Sequence, residues 1–246
     1  MAKSSKDREK DYKMDGSKLL NIYESLLIHD MSKILQNIQS SSELSSNFFD
    51  DPEKYGIVKE LIETIKQQAA RGFKLMSNVY RLSKLDKGQI AFHKIDVYDL
   101  LQNSIEFVEL PIQENVQITI DCPFNEIFVE ANDLLQDVFE NLMINSVVHN
   151  ENSIKEILIR ISKVVKDSIN YVKLEFIDNG IGICEERKIE IFKAERSKQT
   201  GGKGMGFGLT LVKKLVDFYN GEIWIENKVK EDSSKGSNFI ILIPEV

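Results

Sequence analysis

The sequence has little cysteine, no long apolar run and no block of positive charge, and each shortage excludes a class of protein. Its two cysteines, Cys122 and Cys184, lie in different predicted elements without metal-ligand spacing, so we expect a reducing compartment and no disulfide. No apolar stretch approaches the roughly 20 residues of a membrane span, and the first residues lack the apolar core of a secretion signal. We therefore expect a cytoplasmic chain without a membrane span.

The charge is acidic and spread along the chain. The formal net charge is −7, which argues against nucleic acid or an anionic membrane surface as the main partner. Hydrophobic residues make up 42 % and charged residues 29 %, as in an ordinary globular protein. The length of 246 residues fits one large or two medium domains.

Two long segments carry the apolar repeat of helices that pack on one another. Residues 1–14 are polar and without periodicity, and we expect a disordered linker there. Apolar residues recur by threes and fours in 15–46 and again in 53–87, and Asp51 followed by Pro52 predicts where the second helix starts. The repeats consist of Leu20, Tyr23, Leu27, Met31, Ile34 and Ile38, and then of Val58, Leu61, Ile65, Ala69, Phe73, Met76, Val79 and Leu82.

Two helices of equal length joined by a short loop predict an all-α antiparallel hairpin over residues 15–88. Two helices cannot shield both of their apolar stripes from water, so we expect two copies to pair into a dimeric four-helix bundle. The alternative is a coiled coil within one chain that packs on the second domain.

Residues 89–246 alternate short strands and helices, which predicts an α+β sandwich with helices on one face of a mostly antiparallel sheet. Asp96 is the expected N-cap of the first of these helices. Strands are predicted at 89–92, 116–121, 126–130, 157–165, 171–178, 222–227 and 239–243, helices at 97–109, 133–148, 185–192 and 208–218, and a solvated hairpin loop at 228–235.

A histidine and an acid, His29 and Asp30, stand side by side in the first predicted helix. His29 follows Leu27 by two residues, about 200° around the helix, so we expect it to face water. A lone helical histidine is usually a surface residue without chemistry. Here, however, two glycine-rich loops follow later in the chain, and the combination suggests a phosphate acceptor and a phosphate-donor site.

The first glycine-rich loop contains Asp178, Gly180 and Gly182 at the end of an apolar strand. A carboxylate there can accept a hydrogen bond from an exocyclic amine such as that of adenine. The glycines let a flat ligand approach the backbone closely. Runs of this kind also arise by chance at strand ends.

The second glycine-rich loop, 201–208, leads directly into a predicted helix, whose first N–H groups can bind phosphate. It matches neither a Walker loop nor a Rossmann fingerprint. We expect 193–203 to form a lid that orders over bound nucleotide. The candidate nucleotide-binding residues here are Lys203, Gly204, Met205, Gly206, Phe207, Gly208 and Leu209.

Asn141 and Asn145 are four residues apart in the helix predicted at 133–148 and therefore share one face. An asparagine carbonyl can bind Mg²⁺ directly, and we assign Asn145 to the metal and Asn141 to nucleotide binding and catalysis. The alternative is a solvated helix face without a ligand.

These pieces, in this order and spacing, resemble the sensor histidine kinases, whose ATPase domain shares its fold with gyrase and MutL. The resemblance covers about residues 15–246. Residues 140–145 resemble the N box, 178–182 and 204–208 the two glycine boxes, Phe192 the F box, 236–244 the closing strand, 82–88 the end of the dimerisation hairpin, and His29 with Asp30 the H box.

The resemblance implies an enzyme that uses ATP and Mg²⁺, forms a homodimer and has a response-regulator receiver domain as its partner. It implies that His29 accepts the phosphoryl group and that Asp30 orients the imidazole. It also implies that His149, which follows the N box, belongs to the nucleotide site.

Departures from the family pattern change individual expectations. Ile34 stands where many members have proline, so a kink after the histidine should be weak or absent. Lys33 replaces a threonine or asparagine that orients water, which argues against phosphatase activity. Val148 stands where lysine is frequent and His149 where tyrosine is frequent. Phosphate neutralisation would then fall to Lys203, Lys198 or Arg196.

Two other functions fit the same motifs. A conformational ATPase of the related fold would turn over ATP without forming a phosphoprotein. A nucleotide-binding scaffold or inactive kinase would bind nucleotide and a receiver domain but catalyse no reaction.

Overall fold

The computed structural model of the chain describes residues 16–86, 91–109, 115–192 and 207–246. Within these ranges the side chains of residues 16–27, 29, 30, 74, 78, 81–86, 109 and 207 are not described. The chain divides into two compact units, residues 1–89 and 90–246. None of the described helices has the length and apolar character that crossing a membrane requires.

The first unit consists of two long helices, α1 (Gly16–Phe48) and α2 (Tyr55–Asp86), joined through a short 3₁₀ turn at Pro52–Lys54. Both long helices are thus confirmed. The carboxylate of Asp51 accepts a hydrogen bond from the backbone N–H of Glu53 at 3.1 Å, which confirms the N-cap, although the turn that it caps is 3₁₀.

The contact between α1 and α2 buries only part of their apolar residues. Ile34, Val58 and Leu75 are buried, and a Cβ added to Gly72 would lie 3.5 Å from Cγ2 of Ile34. Phe73, which the apolar repeat places in the same row as Val58, is 78 % exposed. Other exposed apolar side chains are Ile28, Leu35, Phe49, Tyr55, Ile62 and Met76. One copy therefore leaves a second apolar stripe uncovered.

The second unit is an α/β domain with a five-stranded sheet and a separate two-stranded sheet. Its elements are β1 (His93–Asp96), α3 (Val97–Glu109), β2 (Val116–Asp121), β3 (Phe128–Ala131), α4 (Leu134–Val148), β4 (Lys155–Lys166), β5 (Ile169–Asp178), α5 (Glu185–Lys188), a 3₁₀ turn (Glu190–Phe192), α6 (Phe207–Phe218), β6 (Glu222–Val229) and β7 (Asp232–Pro244).

The larger sheet has the strand order β2–β4–β5–β7–β6, in which only the β2–β4 pair is parallel. Ile159, Phe176 and Phe239 lie side by side across β4, β5 and β7. The ring of Phe139 on α4 packs on that of Phe176 with 5.8 Å between centroids. This row therefore forms the core between the sheet and α4, which also contacts α3 and α6. The mostly antiparallel sheet is confirmed.

Two local predictions were wrong. The first strand of the domain is not at 89–92: it begins at His93, and Ala91 and Phe92 lie outside it, while 89 and 90 are outside the described residues. The segment 228–235 is not a solvated loop, because β6 continues to Val229 and β7 starts at Asp232, with those two residues paired. A short tight turn replaces the predicted loop because the strands pair almost to their ends.

Candidate functional site

The carboxylate of Asp178, at the end of β5, is held by hydrogen bonds from three directions. Oδ1 accepts from the backbone N–H groups of Gly180 at 2.8 Å and Ser237 at 3.2 Å. Oδ2 accepts from the hydroxyl of Ser237 at 2.5 Å and lies 3.4 Å from the hydroxyl oxygen of Ser146 on α4. The side chain is only 4 % exposed, and these donors compensate for removing its charge from water.

Residues 178–182 form a turn, which we call the glycine turn, that lies against the C-terminal end of α4. The carbonyl of His149 accepts a hydrogen bond from the N–H of Ile181 at 3.2 Å. A Cβ added to Gly180 would lie 2.7 Å from the same carbonyl oxygen, too close for any side chain. The structure therefore brings His149, Gly180 and Asp178 together, as the sequence predicted for three members of one site.

Three asparagines fix this turn to its surroundings. Asn179 Oδ1 accepts from Asn150 Nδ2 at 2.6 Å and from the N–H of Glu156 at 2.9 Å, and its Nδ2 donates to the carbonyl of Ile154 at 3.1 Å. Asn152 Nδ2 donates to the carbonyl of Asn179 and to Asn150 Oδ1. We call Asn150, Asn152 and Asn179 the asparagine cluster. It connects the end of α4, the start of β4 and the glycine turn, so that Asp178 is held from both sides.

The start of β7 crosses the glycine turn so closely that glycine is required on both sides. Gly182 has φ +67°, and a Cβ there would overlap the carbonyl oxygen of Ser233. Gly236 has φ +106°, and a Cβ there would overlap the carbonyl oxygen of Asp178. Both glycines are thus needed for the approach of the protein's own backbone and for left-handed dihedral angles, whereas the sequence explained Gly182 by the approach of a ligand.

Asn141 lies on the same helix as Ser146 and points toward the start of α6. Its Nδ2 donates to the carbonyl of Asp137 at 2.7 Å. A Cβ added to Gly208 would lie 3.0 Å from Asn141 Oδ1, so this oxygen is beside the first turn of α6. A carbonyl oxygen next to a helix N-terminus fits the chemistry of a phosphate carrying Mg²⁺, which prefers oxygen ligands. Asn145, one turn further along α4, is partly exposed.

Several predicted site residues, or their side chains, lie outside the described part of the chain. His29 and Asp30 lie within α1, but their side chains are outside the described part of the chain, so the orientation predicted for His29 stays a prediction. Lys203, Gly204, Met205 and Gly206 are outside the described residues, as are Arg196, Lys198, the predicted lid at 193–203 and the predicted linker at 1–14. Gly208 and Leu209 lie in the first turn of α6 and Phe207 begins it, while Phe192 ends the 3₁₀ turn.

Reasoning from the sequence missed Ser146, Ser237 and the asparagine cluster. Ser146 follows directly after Asn145, and Asn150 and Asn152 follow His149, so position next to predicted site residues was the only signal. Ser237 lies 59 residues from Asp178 along the chain, and only the pairing of β5 with β7 brings the two together. Such contacts depend on strand register, which local patterns specify weakly.

Several known proteins are similar to this chain. The family described as histidine kinase-, DNA gyrase B-, and HSP90-like ATPase matches residues 130–246. Cyanobacterial phytochrome B of Nostoc sp. is 28 % identical over 237 residues, which cover 92 % of this chain and 30 % of the phytochrome. The adaptive-response sensory kinase SasA of Gloeothece citriformis is 24 % identical over 238 residues, covering 92 % of this chain and 59 % of SasA.

Among solved structures, histidine kinase ThkA in complex with response regulator protein TrrA is similar with a TM-score of 0.70 and 20 % identity. The match covers 100 % of this chain and 68 % of the ThkA chain, and it shows the likeness of the folds. The chain spans less than two thirds of the length of phytochrome B and of SasA. Together these matches confirm the resemblance that the motifs indicated.

Proposed function

We propose that the chain is an ATP-dependent protein histidine kinase. The starting point is that residues 130–246 match the model of the histidine kinase-, DNA gyrase B-, and HSP90-like ATPase family. It phosphorylates itself on His29 and passes the phosphoryl group to an aspartate of a response regulator. The observation that carries this proposal is that α4 lies between Asp178 on one side and the start of α6 on the other.

The nucleotide binds along α4. The carboxylate of Asp178 accepts a hydrogen bond from the exocyclic amine of adenine, and His149 lies at the end of α4 beside the turn. The N–H groups at the start of α6, together with Lys203–Gly206, which precede that helix in the sequence, bind the phosphates. Asn145 is the candidate ligand for Mg²⁺, which when bound would neutralise charge on the phosphates, and Asn141 is the candidate for nucleotide binding and catalysis.

His29 is the proposed nucleophile. The unprotonated nitrogen of its neutral imidazole forms a bond to the γ-phosphorus while the bond from that phosphorus to the β–γ bridging oxygen breaks, and the electron pair leaves with ADP. The N–H on the other ring nitrogen becomes more acidic as the new bond forms. Asp30 accepts the hydrogen bond of that N–H and orients the ring.

The active form of the kinase is a homodimer. The exposed stripe on α1 and α2, including Phe73 and Met76, supports a dimeric four-helix bundle in which a second copy covers it. A receiver domain is the proposed partner, since ThkA is named in complex with a response regulator. We place the reaction in the cytoplasm, which the free thiols of Cys122 and Cys184 support. Because Lys33, which is exposed on α1, stands where many family members carry a threonine or asparagine that orients water, we expect little phosphatase activity.

The test is incubation of the full chain with γ-labelled ATP and Mg²⁺. We expect label on the protein that survives alkali and is lost in acid, as is typical of a phosphoramidate. His29→Ala should abolish this label. His93→Gln is the matched control, since His93 is an exposed histidine on β1, and it should retain the label.

The same assay separates the alternatives. Release of inorganic phosphate without labelled protein would identify a conformational ATPase. Nucleotide binding without label or phosphate release would identify a scaffold or an inactive kinase. Label that persists in His29→Ala would refute His29 as the acceptor.

A further inference from the structure

We propose that Ser146 determines base specificity at the Asp178 site, where its hydroxyl donates to the ring nitrogen N1 next to the exocyclic amine of adenine. This inference rests on the proposed function, in that it takes a nucleotide to bind at Asp178. Ser146 is 3 % exposed on α4, and its oxygen lies 3.4 Å from Oδ2 of Asp178.

A carboxylate alone does not select adenine over guanine. An ionised carboxylate only accepts hydrogen bonds, and its two oxygens suit ligands that present two donors side by side. Guanine presents such a pair in its N1–H and its 2-amino group. Adenine presents one donor, the exocyclic amine, next to one acceptor, N1. Preference for adenine therefore requires that the carboxylate offer only one free position and that a donor stand beside it.

Asp178 meets the first requirement. Each carboxylate oxygen has about two lone-pair positions. Those of Oδ1 are filled by the N–H groups of Gly180 and Ser237, and one position of Oδ2 is filled by the hydroxyl of Ser237. One position on Oδ2 remains, which the long contact from Ser146 fills only weakly. Guanine would need both carboxylate oxygens of Asp178 as acceptors, but Oδ1 already accepts two hydrogen bonds from the protein.

Ser146 meets the second requirement. Its hydroxyl has one hydrogen and two acceptors within reach, the carbonyl of Leu142 at 3.1 Å and Oδ2 of Asp178 at 3.4 Å. When an amine takes the free position on Oδ2, the hydroxyl hydrogen can turn to the neighbouring N1 at little cost. Because both side chains are buried, a base that fails to match them leaves polar groups without partners, which penalises the wrong base strongly.

A buried helical serine often donates only to the backbone carbonyl one turn before it. The role proposed for Ser146 differs from this ordinary one. Ser104 on α3 is a clear case: it is fully buried and donates to the carbonyl of Leu100 at 2.7 Å. Ser146 makes the corresponding bond at a longer distance and has in addition an acceptor 32 residues away in the sequence. Ser104→Ala is therefore the matched control for Ser146→Ala.

The experiment measures dissociation constants of the full chain for ADP, GDP and 1-deaza-ADP, in which a C–H replaces N1, by titration calorimetry. We expect the unchanged chain to prefer ADP to both other nucleotides, with 1-deaza-ADP about tenfold weaker because one hydrogen bond is missing. Ser146→Ala should bind ADP about tenfold more weakly and bind ADP and 1-deaza-ADP equally. Ser104→Ala should keep the full preference.

Alanine favours helix at both positions, so both variants are expected to fold, and thermal unfolding checks this. If Ser146→Ala still distinguishes ADP from 1-deaza-ADP as the unchanged chain does, or weakens ADP and GDP equally, Ser146 has only a structural role and the inference is overturned. If the unchanged chain binds none of the three nucleotides, the proposed function itself fails. The two failures are thus separate results.

Discussion

The α/β unit closes its core within one chain, whereas the helical unit leaves large apolar side chains in water. Phe139, Phe176 and Phe239 are buried between α4 and the sheet, yet Phe73 and Met76 on α2 are 78 % and 62 % exposed. Exposed patches of this kind mark interaction sites in soluble proteins. The difference indicates that the described core of the α/β unit is buried within one chain, whereas part of the apolar stripe on α2 is not.

Phe176→Ala should have the largest effect, because it removes a ring from the closed core. We expect the α/β unit to lose about 3 to 5 kcal/mol of its free energy of unfolding, measured by urea denaturation. Phe107→Ala on α3 is the control, since that ring is exposed, and it should change stability by less than about 0.5 kcal/mol. Equal losses in the two variants would contradict the placement of Phe176 in the core.

Phe73→Glu should disrupt the assembly rather than the fold. We expect light scattering to show a shift from dimer toward monomer, with a cost of roughly 2 to 3 kcal/mol for each ring that can no longer be buried. Phe107→Glu introduces the same charge at an exposed phenylalanine of the α/β unit and should leave the dimer intact. An unchanged mass for Phe73→Glu would mean that another surface covers the stripe or that the chain is a monomer.

Asn179→Ala should weaken the glycine turn without opening the core. The variant removes the acceptor of the part-buried bond from the Asn150 amide and of the exposed bond from the N–H of Glu156, at about 1 kcal/mol of stability. Hydrogen exchange should show faster opening at residues 178–182, together with weaker ADP binding. Asn103→Ala, at an exposed position on α3, is the control and should show neither change. Protection retained at 178–182 would contradict the role of the asparagine cluster.

Asp51→Ala should have the smallest effect, because it removes a single cap at the start of the helical turn before α2. We expect about 1 kcal/mol of lost stability in the helical unit. The neighbouring Asp50→Ala is the control and should change little, because Asp50 is exposed in the turn after α1. If both substitutions cost the same, the effect comes from charge and not from the cap.

The sequence predicted the elements of this fold better than it predicted the contacts between them. The bounds of α1, α2, α3, α4 and β2 come within a few residues of the predictions, since capping residues such as Asp51 and Asp96 and apolar periodicity are local signals. The pairing of β6 with β7 through 228–235 was missed because polar residues in a paired strand end resemble a loop.

The same limit applies to the candidate site. Asp178, Gly180 and Asn141 were predicted as site residues because each lies in a short motif, and all three lie beside or on α4. Ser237 escaped notice because its contact with Asp178 depends on the register of β5 against β7. The exposure of Phe73 was missed because a repeat of threes and fours does not tell which of two stripes faces the partner helix in the same chain.

Autophosphorylation of His29 by a nucleotide bound at Asp178 is best tested by mapping the phosphoryl group on the full chain after incubation with ATP and Mg²⁺, with peptides handled at alkaline pH and sequenced by mass spectrometry. We expect a single phosphorylated histidine, His29, and loss of this modification in Asp178→Asn, which removes the charge of the buried carboxylate. Phosphorylation of another residue, or an undiminished yield on His29 in Asp178→Asn, would show that the proposed reaction is wrong.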